Sequence, residues 1–132
     1  MLYEEITDKV IKTFYNVYNI LGTGFLENVY ENALLIELEE VGLKVEKQKE
    51  IDVFYKGKIV GKYRADLVVE EKIILEWKSV AKITDVHKAQ LINYLKATNY
   101  NLGFIVNFGD KLEFKRIIFE TKRWKIRENL RP

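Results

Sequence analysis

The chain of 132 residues has no cysteine, one proline, one histidine and one methionine. Without cysteine there is no disulfide framework, and no thiolate-held zinc or iron–sulfur site. The one histidine is His87, and a lone histidine is more often structural than catalytic. With one proline, at the last position, no segment reads as a proline-rich linker. No run approaches the ~20 apolar residues of a membrane span. The first ten residues, MLYEEITDKV, are acidic and lack the apolar core of a signal peptide. A soluble, cytoplasmic protein is the expectation.

The composition that remains suits a folded domain. Hydrophobic residues make up 48%, aromatics 13% and charged residues 32%, enough for one core and a solvated surface. The expectation is a single domain over 1–132, with a basic tail from about 120 to 132. The net charge of +2 conceals an asymmetry. Up to Leu43, eight acidic residues face only Lys9 and Lys12. From Lys111 onward, eight bases face Glu113, Glu120 and Glu128. A basic end of this kind can hold a polyanion through counterion release, or simply be a solvated face. Lys122, Arg123 and Lys125 are the nucleic-acid-binding candidates there. Trp124 among them either stacks on a base or docks on the domain.

Apolar spacing predicts two leading helices. Ile6, Val10, Ile11, Phe14, Val17, Tyr18 and Leu21 recur at helical intervals over Glu4 to Leu21. After the break at Gly22-Thr23-Gly24, a second helix runs from about Glu27 to Val41 and stops at Gly42. Strands are expected at Val45 to Tyr55, Ile59 to Val69 and Lys72 to Ser79, with a tight turn at Lys56-Gly57-Lys58. Thr84 or Asp85 can cap a third helix reaching Ala97 or Thr98. Strands at Leu102 to Asn107 and Leu112 to Phe119 complete the order. The α-α-β-β-β-α-β-β sequence predicts an α/β domain, with a central mixed sheet of about five strands flanked by helices. The crossover helix makes the third and fourth strands a parallel pair.

The chemistry concentrates on the second and third strands. In a strand, residues two apart share a face, so Glu76 and Lys78 lie together with Ile74. A hairpin brings Asp66 to the same face. Two carboxylates and an ammonium at a sheet edge suit a hard divalent cation and an activated water. They also suit an exposed cross-strand ion pair. Gln90 and Tyr94 fall on one face of the crossover helix, joined by His87. Arg64 is placed to clamp a phosphate or to pair with a carboxylate. Glu27 opens the second helix, where its charge also favours the helix dipole.

Five motifs, in order, resemble a known family. Gly24-Phe25-Leu26-Glu27-Asn28-Val29-Tyr30 matches the signature of the GxxExxY protein family. Tyr63-Arg64-Ala65-Asp66-Leu67, Glu76-Trp77-Lys78-Ser79, the His87 to Leu95 helix and Gly103-Phe104-Ile105-Val106-Asn107-Phe108-Gly109 continue the match, roughly from Gly22 to Ile118. That family resembles the PD-(D/E)xK nuclease superfamily and its RecB-like and Cas4-like group. The resemblance implies a restriction-endonuclease-like core and a metal-dependent nuclease hydrolysing DNA, with Mg²⁺ or Mn²⁺ as cofactor. It implies Asp66, Glu76 and the Trp77 carbonyl as metal ligands, and Lys78 and Glu27 as catalytic partners. Gln90, Tyr94, Arg64 and His87 are then positioning residues. Ala65 stands where many members carry proline. A nuclease-fold binding module, or a protein-interaction subunit, is the competing expectation. A domain of this size leaves specificity to a second copy or a partner protein.

Overall fold

The computed structural model describes residues 3–119. The basic segment with Lys122, Arg123, Trp124 and Lys125 lies outside the described residues. Helix α1 spans Glu4–Leu21, and Val10, Phe14 and Val17 on its apolar stripe are buried. Glu4 and Glu5 occupy its first turn, where the dipole favours them. Helix α2 spans Glu27–Glu40 and buries Tyr30, Leu34 and Leu38 at successive four-residue steps. Asn16 donates to Glu37 at 3.0 Å and ties the two helices.

Strands β1 (Val45–Tyr55) and β2 (Lys58–Val69) form a long antiparallel hairpin. Its turn puts Lys56 at φ 50° and Gly57 at φ 77°, two consecutive left-handed residues that match strand twist. Glu70 and Glu71 repeat the device at φ 53° and 56°, leading into β3 (Ile73–Lys78). Helix α3 (Asp85–Ala97) then crosses over to β4 (Leu102–Asn107), and β5 (Glu113–Ile118) closes the order. The sheet runs β1-β2-β3-β4-β5, antiparallel throughout except for the parallel β3–β4 pair. The mixed five-stranded sheet is therefore as expected. β3 and β5 each end inside the expected spans, because their ladders stop at Lys78↔Asn107 and Asn107↔Glu113.

The sheet has a core on each face. Helices α1 and α2 cover one, where Phe14, Tyr30 and Leu34 pack on Leu75, Trp77 and Phe104. Phe14 meets Phe104 edge to face at 5.7 Å. Helix α3 covers the other, with Leu91 and Leu95 against Val68, Ile74 and Ile105. All six residues of β4 are buried, as a strand covered on both faces requires. Full burial of each large apolar side chain contributes roughly 1.5–3 kcal/mol. Among the described residues, no helix is long and apolar enough to cross a membrane.

Candidate active site

The site arises where β2 and β3 part. They pair only at Leu67↔Leu75, Val68↔Ile74 and Val69↔Ile73. The pleat of β2 also changes phase there. Val68 packs on the α3 side, and strict alternation would send Ala65 and Tyr63 to the opposite face, yet both pack on the α3 side as well. Gln48, opposite Asp66 in the β1 register, takes φ 52°, an uncommon conformation for a residue with a Cβ. Asp66 occupies this fork. The backbone groups freed by the splay are taken up by carboxylates. Asp66 N–H donates to Glu76 Oε2 at 3.4 Å, and Trp77 N–H donates to Asp66 Oδ2 at 3.3 Å.

Strand alternation fixes the rest of β3. The Lys78 carbonyl accepts from Phe108 N–H at 3.0 Å, on the β4 side. Trp77 N–H faces the β2 side, and the carbonyl of the same residue faces the same way, toward the fork. The indole of Trp77 lies in the α1/α2 core, behind the strand. Glu76 and Lys78 stand on the α3 face.

These groups border a cleft of about 300 Å³. Asp66, Glu76 and Lys78 line it, with Arg64, His87, Gln90 and Tyr94 around them. Burial pushes the Asp66 carboxyl up to about 6, with the Trp77 N–H and Lys78 pulling it down, and Glu27 and Glu31 pushing it further up. Burial pushes Glu76 up to about 7, opposed by the Asp66 N–H and Lys78. Two half-buried carboxylates with raised pKa values are a site short of positive charge.

Helix α3 supplies one wall. Thr84 caps it, accepting from His87 N–H at 3.4 Å, while His87 Nδ1 accepts from Thr84 N–H at 3.0 Å. His87 therefore lines the cleft but has one ring nitrogen committed to the cap. Gln90 donates to the Tyr94 hydroxyl at 3.0 Å, and the Tyr94 ring stacks on Tyr63 at 3.4 Å and 15°. One face of Tyr94 is thus taken by Tyr63. The entry to α3 is held by Asn107, which is 1% exposed. It donates to the Val80 carbonyl at 2.8 Å and accepts from Val80 N–H at 2.9 Å. Gly109 follows because a Cβ there would meet the Val80 carbonyl oxygen at 1.7 Å.

Glu27 approaches from the other side of the sheet. It opens α2, close enough to raise the pKa of Asp66. Its loop is fixed by Tyr30, whose hydroxyl donates to the Gly22 carbonyl at 2.8 Å and accepts from Phe25 N–H at 3.3 Å. The buried Tyr30 ring stacks on Phe108 at 4.5 Å. Glu27 makes no ion pair with Lys78 among the described residues. Glu31, Gln48 and Lys62 are neighbours that periodicity and motif do not single out, while Tyr63 and Asn107 fall within motifs that give them no role of their own. Glu31 alone carries a signal in the chain, sitting four residues after Glu27 on the same helix face.

The donor set fits a hard divalent cation. Among the described residues no three His, Cys, Asp or Glu side chains cluster as metal ligands. Two carboxylates and a carbonyl, with water and substrate oxygens completing the shell, are what Mg²⁺ commonly takes.

A family model of the PD-(D/E)XK nuclease superfamily matches residues 4–117. The chain belongs to that nuclease superfamily, and its mixed sheet flanked by helices is the restriction-endonuclease-like fold. It is similar to the crystal structure of SSO0001, with 21% identity and a TM-score of 0.55, over 93% of this chain. It spans 63% of SSO0001. A weaker likeness, at 12% identity and a TM-score of 0.46, is to an alkaline exonuclease (LHK-Exo) from Laribacter hongkongensis, covering 89% of this chain and 82% of that one. No curated protein gives a match.

Proposed function

We propose that this protein is a Mg²⁺- or Mn²⁺-dependent deoxyribonuclease whose chemistry is carried by Asp66, Glu76 and Lys78. Within the superfamily we place it in the GxxExxY family, near the RecB-like and Cas4-like group. The observation that carries the reading is the fork of β2 and β3. It sets both carboxylates and the ammonium at one cleft, with no ion pair to another charged side chain among the described residues. Asp66, Glu76 and the Trp77 carbonyl would hold the cation. When bound, it would polarise the phosphodiester and lower the pKa of a coordinated water.

The remaining roles fall to the chain itself. The Lys78 ammonium stabilises charge developing on the phosphoryl oxygens. Glu27 and Glu31 add negative potential behind Asp66, which favours retention of a cation. Gln90, Tyr94 and Tyr63 form a wall that fixes where the strand lies. Arg64, held loosely by Glu50 at 4.0 Å, is available to a phosphate. A second copy or a partner protein supplies target selection beyond this catalytic core.

The test is cleavage of single-stranded, duplex and branched DNA with Mg²⁺, with Mn²⁺ and with EDTA. The wild type should cut at least one substrate with either metal and none in EDTA. Asp66→Ala and Lys78→Ala should lose on the order of 10²-fold or more in rate while remaining folded. A folded wild type that leaves all three substrates intact makes this a nucleic-acid-binding module of nuclease fold.

A further inference from the structure

The β1–β2 hairpin is longer than the sheet that carries it. β3 covers β2 only from Leu67 onward. From Lys58 to Ala65, the edge of β2 facing away from β1 has no strand partner among the described residues. Backbone N–H and C=O groups turn outward along it, interrupted by a bulge at Val60, where the register slips from Val53↔Gly61 to Phe54↔Ile59. This open edge begins at the catalytic fork, since Lys62, Tyr63 and Arg64 line the cleft beside Asp66 and Glu76.

The β2 strand and turn of the arm are basic, while its β1 strand carries Glu46, Glu50 and Asp52. Between Tyr55 and Ala65 the arm carries Lys56, Lys58, Lys62 and Arg64, and no acid. Lys62 and Arg64 share Glu50 and Asp52 across the hairpin, with Lys62 to Glu50 at 3.0 Å. Lys56 lies over the Tyr55 ring, and Lys58 has no ion pair among the described residues. Tyr55, Ile59 and Val60 are 57%, 53% and 63% exposed at the tip. The Tyr63 hydroxyl, by contrast, is buried with no hydrogen-bond partner. It is an unsatisfied polar group on the wall shared by arm and cleft.

We infer that the β1–β2 hairpin is a gripping arm that holds the sugar–phosphate backbone of the substrate as it leaves the cleft. This rests on the nuclease reading above, and deepens it. The eight residue steps from Lys58 to Asp66 span about 26 Å at ~3.3 Å each, room for about eight base pairs at ~3.4 Å. A second copy is the poorer occupant. Antiparallel self-pairing would bring Lys58, Lys62 and Arg64 of one copy against the same bases of the other, where like charges destabilise a ladder, and the bulge at Val60 interrupts that ladder. A polyanion reverses that sign.

The experiment uses a fluorescent 20-bp duplex and a single strand of equal length, in EDTA so that no cleavage occurs. Affinity is measured from 50 to 200 mM salt for the full chain and for Lys56→Ala/Lys58→Ala. With two fewer phosphates neutralised, the duplex salt slope should fall by about 1.8. The wild type should therefore lose about twelvefold more affinity across this range than the variant. Parallel salt dependences for both probes overturn the arm. So does sedimentation showing a wild-type dimer that Ile59→Ser/Val60→Ser converts to monomer, which would give the tip to a second copy. Cleavage by a wild type with parallel salt dependences rejects the arm and leaves the nuclease standing. Arm-dependent binding without cleavage does the reverse.

Discussion

Replacing Glu76 by glutamine should stabilise the metal-free protein at pH 8. Glu76 is half-buried and its pKa rises from 4.5 to about 7. In the unfolded chain it ionises near pH 4.5, whereas in the folded state it holds its proton until about pH 7. The folded state thus binds more protons between these values, and stability falls as pH rises through that window. Above it the full penalty is present. The rise corresponds to roughly 3 kcal/mol, an upper value given residual solvent contact. Glutamine keeps an oxygen for the Asp66 N–H and removes the charge. The assay is urea unfolding in EDTA at pH 5 and pH 8. The variant should exceed the wild type by about 1–3 kcal/mol at pH 8 and by little at pH 5, where most of the wild-type carboxyl is protonated in the fold. A variant no more stable at pH 8, or a difference unchanged between the two pH values, refutes the account of Glu76 as a buried charge awaiting a cation. The same variant should lose nuclease activity, placing stability and function in opposition at this residue.

Two further outcomes follow from neighbouring parts of the molecule. Tyr30→Phe keeps the ring on Phe108 but leaves the Gly22 carbonyl and Phe25 N–H without the hydroxyl. It should cost about 1–3 kcal/mol in a urea titration, and lower kcat by loosening the loop that carries Glu27. Replacing Lys122, Arg123 and Lys125 together by alanine should lower the salt slope of DNA binding by about 0.9 for each phosphate no longer neutralised. Calorimetry with Mn²⁺ should find metal affinity at Asp66 and Glu76 unaltered in that variant.

The elements were legible because their apolar residues recur with the right period. Val10, Phe14 and Val17 on α1, and the wholly buried run of β4, carry that signal in the chain itself. The pairing of Glu76 with Lys78 was legible for the same reason, since period two leaves no other choice of face. The phase change at Asp66 was not, because it depends on where the pairing of β2 with β3 stops and on Gln48 in a left-handed conformation. The stacking of Tyr63 on Tyr94, and the Asn107 clamp on Val80, join residues distant in sequence through tertiary packing. His87 reads as a substrate-facing residue from the sequence because its helix face is right. Its cap with Thr84 is a local alternative that the Thr-x-x-His spacing allows. The projecting arm is implicit in two strands of 11 and 12 residues beside one of 6, but only the ladder shows where pairing stops.

The proposed chemistry stands or falls on a metal ion at the fork of β2 and β3. Crystals soaked in Mn²⁺, with diffraction recorded near the manganese edge, test it most directly. An anomalous peak should appear in the cleft, within about 2.0–2.6 Å of oxygens from both Asp66 and Glu76, and be absent in Asp66→Ala. Saturating Mn²⁺ that leaves the cleft without a peak, or places it away from both carboxylates, means that Asp66 and Glu76 do not hold a metal ion.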